Sequence, residues 1–376
     1  IKDKSLSVSA NALQFEKVER DKAVAETDDL DSNEIQAVPL LVSGVHIFET
    51  LPDDVFGYSL ITKNSSAFNA TTRQEGTTDV LNDAGFPGPE DSVFQASQNS
   101  DLDEYWGGVS WAHRFHPNFS VGITNFLALR QQKESANASV RLVNRETFNV
   151  STTDFTQSYD YWDLRALWKV GAALTLDRVR LGLAITTPSV DIAGNGESFR
   201  DTTYSNLDLN DDNIPDSLVA NDRQDGLDSE YRSPMSIAGG FEVDLTSSTR
   251  LGATVEWFDS VGEYSVMSPQ SADFILPAGA FTGVLDSKDF LRVADGADSV
   301  VNYGVALEQE VNDLWTGYLG FRSDYSTYKA IESNGRQLGF SNWDIWHVTT
   351  GFARKGDRSD LGLGVTYSFG DTDSGL

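Results

Sequence analysis

Residues 161–188 read YWDLRALWKVGAALTLDRVRLGLAITTP, and the spacing inside this stretch decides the fold. In an extended chain Leu164, Ala166, Trp168, Val170, Ala172 and Leu174 share one side. Asp163, Arg165, Leu167, Lys169, Gly171 and Ala173 share the other. The alternation resumes after Asp177-Arg178, where Val179, Leu181, Leu183 and Ile185 oppose Arg178, Arg180, Gly182 and Ala184. A period of two specifies strands, and so short a break specifies a hairpin. One face holds large aliphatics and Trp; the other mixes Arg and Lys with Gly and Ala. Strands of about ten residues, apolar outward and polar inward, are the signature of a transmembrane β-barrel.

The same rhythm runs outward from this hairpin in both directions. Near the start, Leu6, Val8, Ala10 and Ala12 alternate with Ser5, Ser7, Ser9 and Asn11. Further hairpins pair residues 35–48 with 55–61, 105–115 with 119–129, 235–245 with 250–258, 300–309 with 315–325, and 343–353 with 361–369. Each closes in a short turn such as His116-Pro117-Asn118 or Val311-Asn312-Asp313. Between hairpins lie polar, acidic segments near residues 16–34, 63–101, 131–156, 191–228, 260–298 and 327–341, which read as long loops. Residues 140–150 could extend a strand past the membrane. Short turns and long loops therefore alternate, as periplasmic turns and extracellular loops do in an outer-membrane barrel. The whole chain, 1–376, reads as one such domain. About thirteen strands are countable, and bacterial barrels close with an even number, so a barrel of about 14 strands is expected, with the last strand outside this chain.

Composition narrows the function. The chain has 376 residues, no Cys and a net charge of -29. Without Cys there is no disulfide framework, thiolate metal site or cysteine nucleophile. No run of about eighteen apolar residues exists, which excludes a helical membrane protein. The start lacks a signal peptide, as expected of a mature or trimmed sequence. The negative charge disfavours nucleic acid, whose phosphates require a basic surface. His46, His113, His116 and His347 are scattered over different hairpins, and no Ser lies in a nucleophile elbow, so no enzyme is expected. Gly107-Gly108 and Gly239-Gly240 fall mid-strand, where glycine relieves crowding. Trp106, Trp162, Trp257, Trp315, Trp343 and Trp346 lie near strand ends and read as an interfacial aromatic girdle.

The rhythm of residues 168–173 (WKVGAA), then a short turn, then residues 181–188 (LGLAITTP), resembles the FadL/TodX family of outer-membrane transport proteins. So do residues 361–369 (LGLGVTYSF) and the strand-loop layout over nearly the whole chain. The resemblance implies a fourteen-stranded monomeric barrel that takes up long-chain fatty acids or other hydrophobic compounds across the bacterial outer membrane. It also implies an N-terminal plug carrying Asn-Pro-Ala before the first strand, which is not found ahead of Ser5. Expected partners are outer-membrane lipid and a hydrophobic small molecule. Two alternatives remain open: a structural or partner-binding barrel in an envelope complex, and a polar porin.

Two groups of residues are candidate sites. By alternation Phe126, Phe258, Tyr318 and Arg322 point into the lumen. Inward aromatics would wall a hydrophobic pathway, and Arg322 could hold a carboxylate by a charge-assisted hydrogen bond. In the loop, Asp208, Asn210, Asp212 and Asp216 place oxygen ligands at relative positions 1, 3, 5 and 9, with the Ile214 carbonyl at 7. Calcium loops use that spacing, and the segment resembles thrombospondin type 3 repeats. It departs from the pattern at Asn213, where Gly is usual, and at Val219, where an acid is usual. A solvated acidic loop is the competing reading.

Overall fold

The computed structural model describes residues 4–24, 28–81, 85–208, 215–272, 286–332, 335–339, 343–356 and 359–371. The first half of the wall is built from β1 (Lys4–Val24), β2 (Asp28–Ile47), β3 (Asp54–Thr78), β4 (Glu90–His116), β5 (Phe119–Asn144), β6 (Val150–Leu176) and β7 (Val179–Thr186). A hairpin of β8 (Val190–Leu207) and β9 (Asp216–Leu227) follows, and the wall resumes with β10 (Ser236–Asp244) and β11 (Thr249–Phe258). β14 (Val300–Glu310), β15 (Trp315–Asp324), β17 (Asp344–Arg354) and β18 (Leu361–Asp371) complete it. The remaining elements are β12 (Val261–Met267), helix α1 (Ser287–Phe290), β13 (Val293–Ala297) and β16 (Arg336–Gln337).

The wall is one antiparallel path, β1-β2-β3-β4-β5-β6-β7-β10-β11-β14-β15-β17-β18, thirteen strands long. That matches the strand count read from the sequence. Among the described residues no ladder joins β18 to β1. A continuous meander follows from lipid, which offers no water to a free N–H or C=O. The outward side chains are apolar and exposed, as Val109, Leu183, Val255, Val305 and Leu319 show. On β18, Leu361, Leu363, Val365, Tyr367 and Phe369 are likewise exposed, while Thr366 and Ser368 bond Thr349 and His347 across the opposite face.

Aromatic side chains gather outside the wall at two levels. Phe115, Phe119, Trp315 and Phe352 lie near the short turns, with the Trp315 and Phe352 rings 5.5 Å apart. Tyr303, Phe321, Tyr325 and Trp346 cluster towards the other end, with Phe321 stacked on Trp346 at 5.5 Å. Two such belts mark the two membrane interfaces. Trp106 corrects the expected girdle: it points into the lumen, where its ring packs 5.3 Å from Phe126. Its even-numbered position on β4 puts it on the side opposite Val109 and Trp111.

Several expected loops are strands instead. The segments at 16–34, 63–101, 131–156 and 191–228 are largely the upper parts of β1–β6 and the β8–β9 hairpin. β3, β4, β5 and β6 run for 25, 27, 26 and 27 residues, whereas a membrane crossing needs about 9–11. Their upper halves therefore form a sheet outside the membrane. Ser, Thr, Asn and Gln fill both faces there, as in residues 64–72 and 92–100, so apolar alternation is lost while the ladder continues. Pro188 marks where β6 changes partner. Below it β6 pairs with β7, above it with β8, and a residue without an N–H fits that break.

A charge on the lipid face is expected to cost far more than one on the lumen face. Leu183→Arg should lose about 2–4 kcal/mol in urea unfolding from lipid vesicles, and Thr254→Arg less than about 1 kcal/mol. Equal losses at both positions would contradict the assigned faces.

Candidate functional site

Strand register lines up the lumen side chains in rows across β4, β5 and β6. One row pairs Gly108 with Phe126 and Phe126 with Leu167. Phe126, Ala128 and Leu167 are buried together, with Ile61 and Trp106 packed against them. Gly108 is required there, since a Cβ would come within 2.5 Å of the Phe126 ring. Much of the neighbouring lumen face is small or polar. Ser110 meets Thr124 at 2.8 Å, and Gly182 pairs with Gly240. Towards the short turns Arg180 bridges Glu242 and Asp244, and Arg250 bridges Asp244 and Glu308. An apolar cluster thus stands above a wet, charged mouth.

A second row pairs Glu104 with Arg130 and Arg130 with Asp163. Arg130 donates to Glu104 at 3.0 Å, and Arg165 donates to the other Glu104 oxygen at 2.6 Å and to Asp163 at 3.1 Å. Trp106 Nε1 adds a 2.6 Å bond to Glu104, and Tyr161 and Gln132 accept from Arg130 at 2.9 and 2.8 Å. Arg165 and Asp163 are 0% exposed and Glu104 5%. Two carboxylates and two guanidiniums make the group neutral, the arrangement that lets ions be buried at all. Removing one member of such a cluster costs about 3–5 kcal/mol because it strands the others. The segment entering β10 closes over it. Tyr231 N donates to Asp163 at 3.1 Å, its ring lies 3.9 Å beneath the Arg130 guanidinium, and Ser233 accepts from Arg165 at 3.1 Å.

Above this lock sits a cap. β12, β13 and β16 form a small sheet, and Tyr264, Val266, Met267, Val293 and Leu338 pack on Tyr159 and Tyr161 of β6. The expected loops at 260–298 and 327–341 therefore supply ordered elements against the wall. Tyr159 ties the layers together by donating to Glu134 at 2.7 Å and accepting from Gly339 N at 3.1 Å.

Among the sequence candidates, Phe126 sits at the centre of the apolar cluster. Phe258 shares the lumen side of β11 with Glu256, which accepts from Ser236 at 2.7 Å. Tyr318 lies opposite Glu308, and Arg322 opposite His347, both on the lumen side of β15 and both exposed. No ring contact or hydrogen bond joins Phe126 to the other three among the described residues. The alternation also missed Glu104, Arg130, Asp163 and Arg165 as a unit. Its only sequence signal is four charges sharing the lumen parity. In the candidate calcium loop, Asn210, Asp212 and Ile214 lie outside the described residues, between Asp208 and Asp216.

Asp295 on β13 gives the cap a pH dependence. Burial pushes its carboxyl up to about 6, although Gly296 N–H and the Tyr264 hydroxyl bond it and Arg130 faces it. Gln337 donates to it at 3.4 Å, and Tyr161 and Tyr231 also lie near. A carboxyl raised above its unfolded value favours the docked cap when neutral. That contribution is complete below about pH 4 and is lost as pH rises through about 6, amounting to about 3 kcal/mol. Amide exchange in β12 and β13, corrected for intrinsic rate, should be slower at pH 5 than at pH 7.5, and Asp295→Asn should flatten the difference. Equal protection at both values would rule out this coupling.

The chain matches no protein-family model and no curated protein in sequence. Solved structures do share its fold. The P. putida toluene transporter TodX aligns with a TM-score of 0.52 at 11% identity, over 96% of this chain and 82% of that one. A Pseudomonas aeruginosa FadL homologue aligns with a TM-score of 0.50 at 13% identity, over 98% and 81%. The long alternating strands, the short turns and this likeness over nearly the full chain agree: it has the β-barrel fold of the FadL/TodX transport proteins.

Proposed function

We propose that this protein is a bacterial outer-membrane channel through which hydrophobic small molecules diffuse inward, with long-chain fatty acids as one substrate class. The observation that carries this reading is the cluster of Phe126, Ala128 and Leu167 with Ile61 and Trp106, an apolar site inside a largely polar lumen. A water-filled porin has no use for it, because its lumen is polar. One structure of the same fold is described as the P. putida toluene transporter TodX, which supports the class of cargo.

Cargo meets the extracellular sheet and cap first, then partitions onto the Phe126 cluster, and leaves through the charged mouth around Arg180 and Arg250. Phe258 and Tyr318 extend the lumen wall on β11 and β15, and Arg322 holds a carboxylate head group when the cargo has one. The barrel supplies neither covalent chemistry nor energy. It works as a monomer in outer-membrane lipid. The tall polar sheet above the membrane supports a second reading, a partner-binding barrel of an envelope complex.

Uptake of oleate or toluene into proteoliposomes tests the pathway. Phe126→Asp and Phe258→Asp should each slow uptake about tenfold while the barrel keeps its heat-modifiable gel mobility. Unchanged uptake by a folded double variant would place the pathway elsewhere.

The Asp208–Asp216 loop is proposed as a calcium site because its oxygen spacing matches calcium loops. Calcium should raise the melting temperature of the purified protein, and Asp212→Ala should abolish the rise. A melting temperature indifferent to both calcium and chelator would leave only a solvated acidic loop.

A further inference from the structure

Where the cap meets the β8–β9 hairpin lie two arginines that the lock below does not use. Arg336 on β16 is 7% exposed and inserts between β6 and β8. Its donors reach Ser158 O and Phe199 O at 3.3 Å, Leu291 O at 3.5 Å and the Ser198 hydroxyl. Every one of these acceptors is neutral. Arg200 lies on the same face of β8, two residues from Ser198. Its guanidinium sits 5.4 Å from the Phe155 ring and 4.9 Å from the Phe290 ring. Among the described residues neither arginine forms an ion pair, in contrast to Arg130 and Arg165.

Unpartnered polar atoms concentrate in the same patch. Four buried side-chain nitrogen or oxygen atoms of the described residues have no hydrogen-bond partner, and three of them are Arg200 Nε, Thr202 Oγ1 and Arg336 Nε. Thr202 follows Ser198 and Arg200 on one face of β8, and Phe290, Leu291 and Ala220 close the site from above. The nearby acids are engaged elsewhere. Asp222, opposite Arg200 in the ladder, accepts from Ser287, and Glu134 accepts from Tyr159. Burial, reinforced by the neighbouring Arg200, lowers Arg336 to about 10. A buried cation normally bonds an anion directly; here Glu134 acts on Arg336 only at longer range, and among the described residues no carboxylate bonds either guanidinium.

We infer that Arg200, Thr202 and Arg336 form an oxyanion site at the junction of β8 and the cap, which binds a carboxylate or phosphate group between β8 and α1. The Arg336 Nε–H and the Arg200 Nε–H, both without a partner, can each meet an oxygen of such a group, and the Thr202 hydroxyl adds a third donor. The phenyl rings of Phe155 and Phe290 give the site an apolar rim, so an amphiphile with an anionic head fits as well as a free anion. The site is separate from the Phe126 cluster, and binding here does not depend on uptake.

Titration of the full chain in neutral detergent tests this, with decanoate, decanol and inorganic phosphate as probes. Decanoate should bind with a component that Arg200→Gln removes, whereas decanol, which lacks the anion and can use only the Phe126 cluster, should be indifferent to Arg200→Gln. Arg200→Gln and Arg336→Gln should each weaken decanoate at least tenfold, and Arg200→Lys should stay within about threefold of the parent. Arg336 also braces the cap, so the Arg200 pair of variants carries the result if Arg336→Gln disturbs folding. Phosphate binding with the same dependence on Arg200 would assign the site to free or lipid-borne phosphate, still as an oxyanion site. Absence of binding by both anions, or binding indifferent to Arg200→Gln, would overturn the inference without touching the transport reading.

Discussion

Hydrocarbon cannot solvate a peptide group, and the architecture of this protein starts from that constraint. A strand in lipid must give its N–H and C=O groups to neighbours, so the chain becomes a meander in which each wall strand pairs on both sides along the path from β2 to β17. The pleat then assigns alternate residues to lipid and lumen. Leu183 and Gly182 are adjacent in sequence yet belong to different solvents. Everything that distinguishes the protein is done with the inner set of residues.

Within that set, register builds layers. Cross-strand partners sit side by side, so a row of the ladder becomes a level of the lumen. The level of Gly108, Phe126 and Leu167 is apolar; the level of Glu104, Arg130 and Asp163 is ionic. The ionic level holds the Tyr231 segment, and through it the cap, against the wall. Its four charges gain little from Coulomb attraction beyond what desolvation costs them, so specificity of docking is the better account of their presence. The salt bridges at the lower mouth differ. They are partly solvated, contribute little to stability and mainly keep that end of the lumen wet.

The wall was legible in the sequence because its two faces meet two solvents, and the contrast between Val109 and Ser110 records that. The upper halves of β3 to β6 were not, because neither face meets lipid and the same Ser, Thr and Asn serve on each. Trp106 departs from the girdle for a related reason: an aromatic near a membrane interface suits a girdle, but its parity on β4 turns it inward onto Phe126. The inward placement of Phe126 followed from alternation, whereas its burial depended on Gly108 across the ladder. Glu104 and Arg165 lie 61 residues apart in the chain and meet only once the register is set. No local pattern announces such a pair.

Transport of hydrophobic cargo through this barrel requires that the cargo reside at the Phe126 cluster. The most direct measurement is anomalous diffraction from crystals soaked with bromotoluene. Bromine density within van der Waals contact of Phe126 and Leu167, below the Glu104 level, is the predicted result. Bromine found only among the outward aromatics such as Trp346 and Phe352, with the lumen empty of it, would contradict the account.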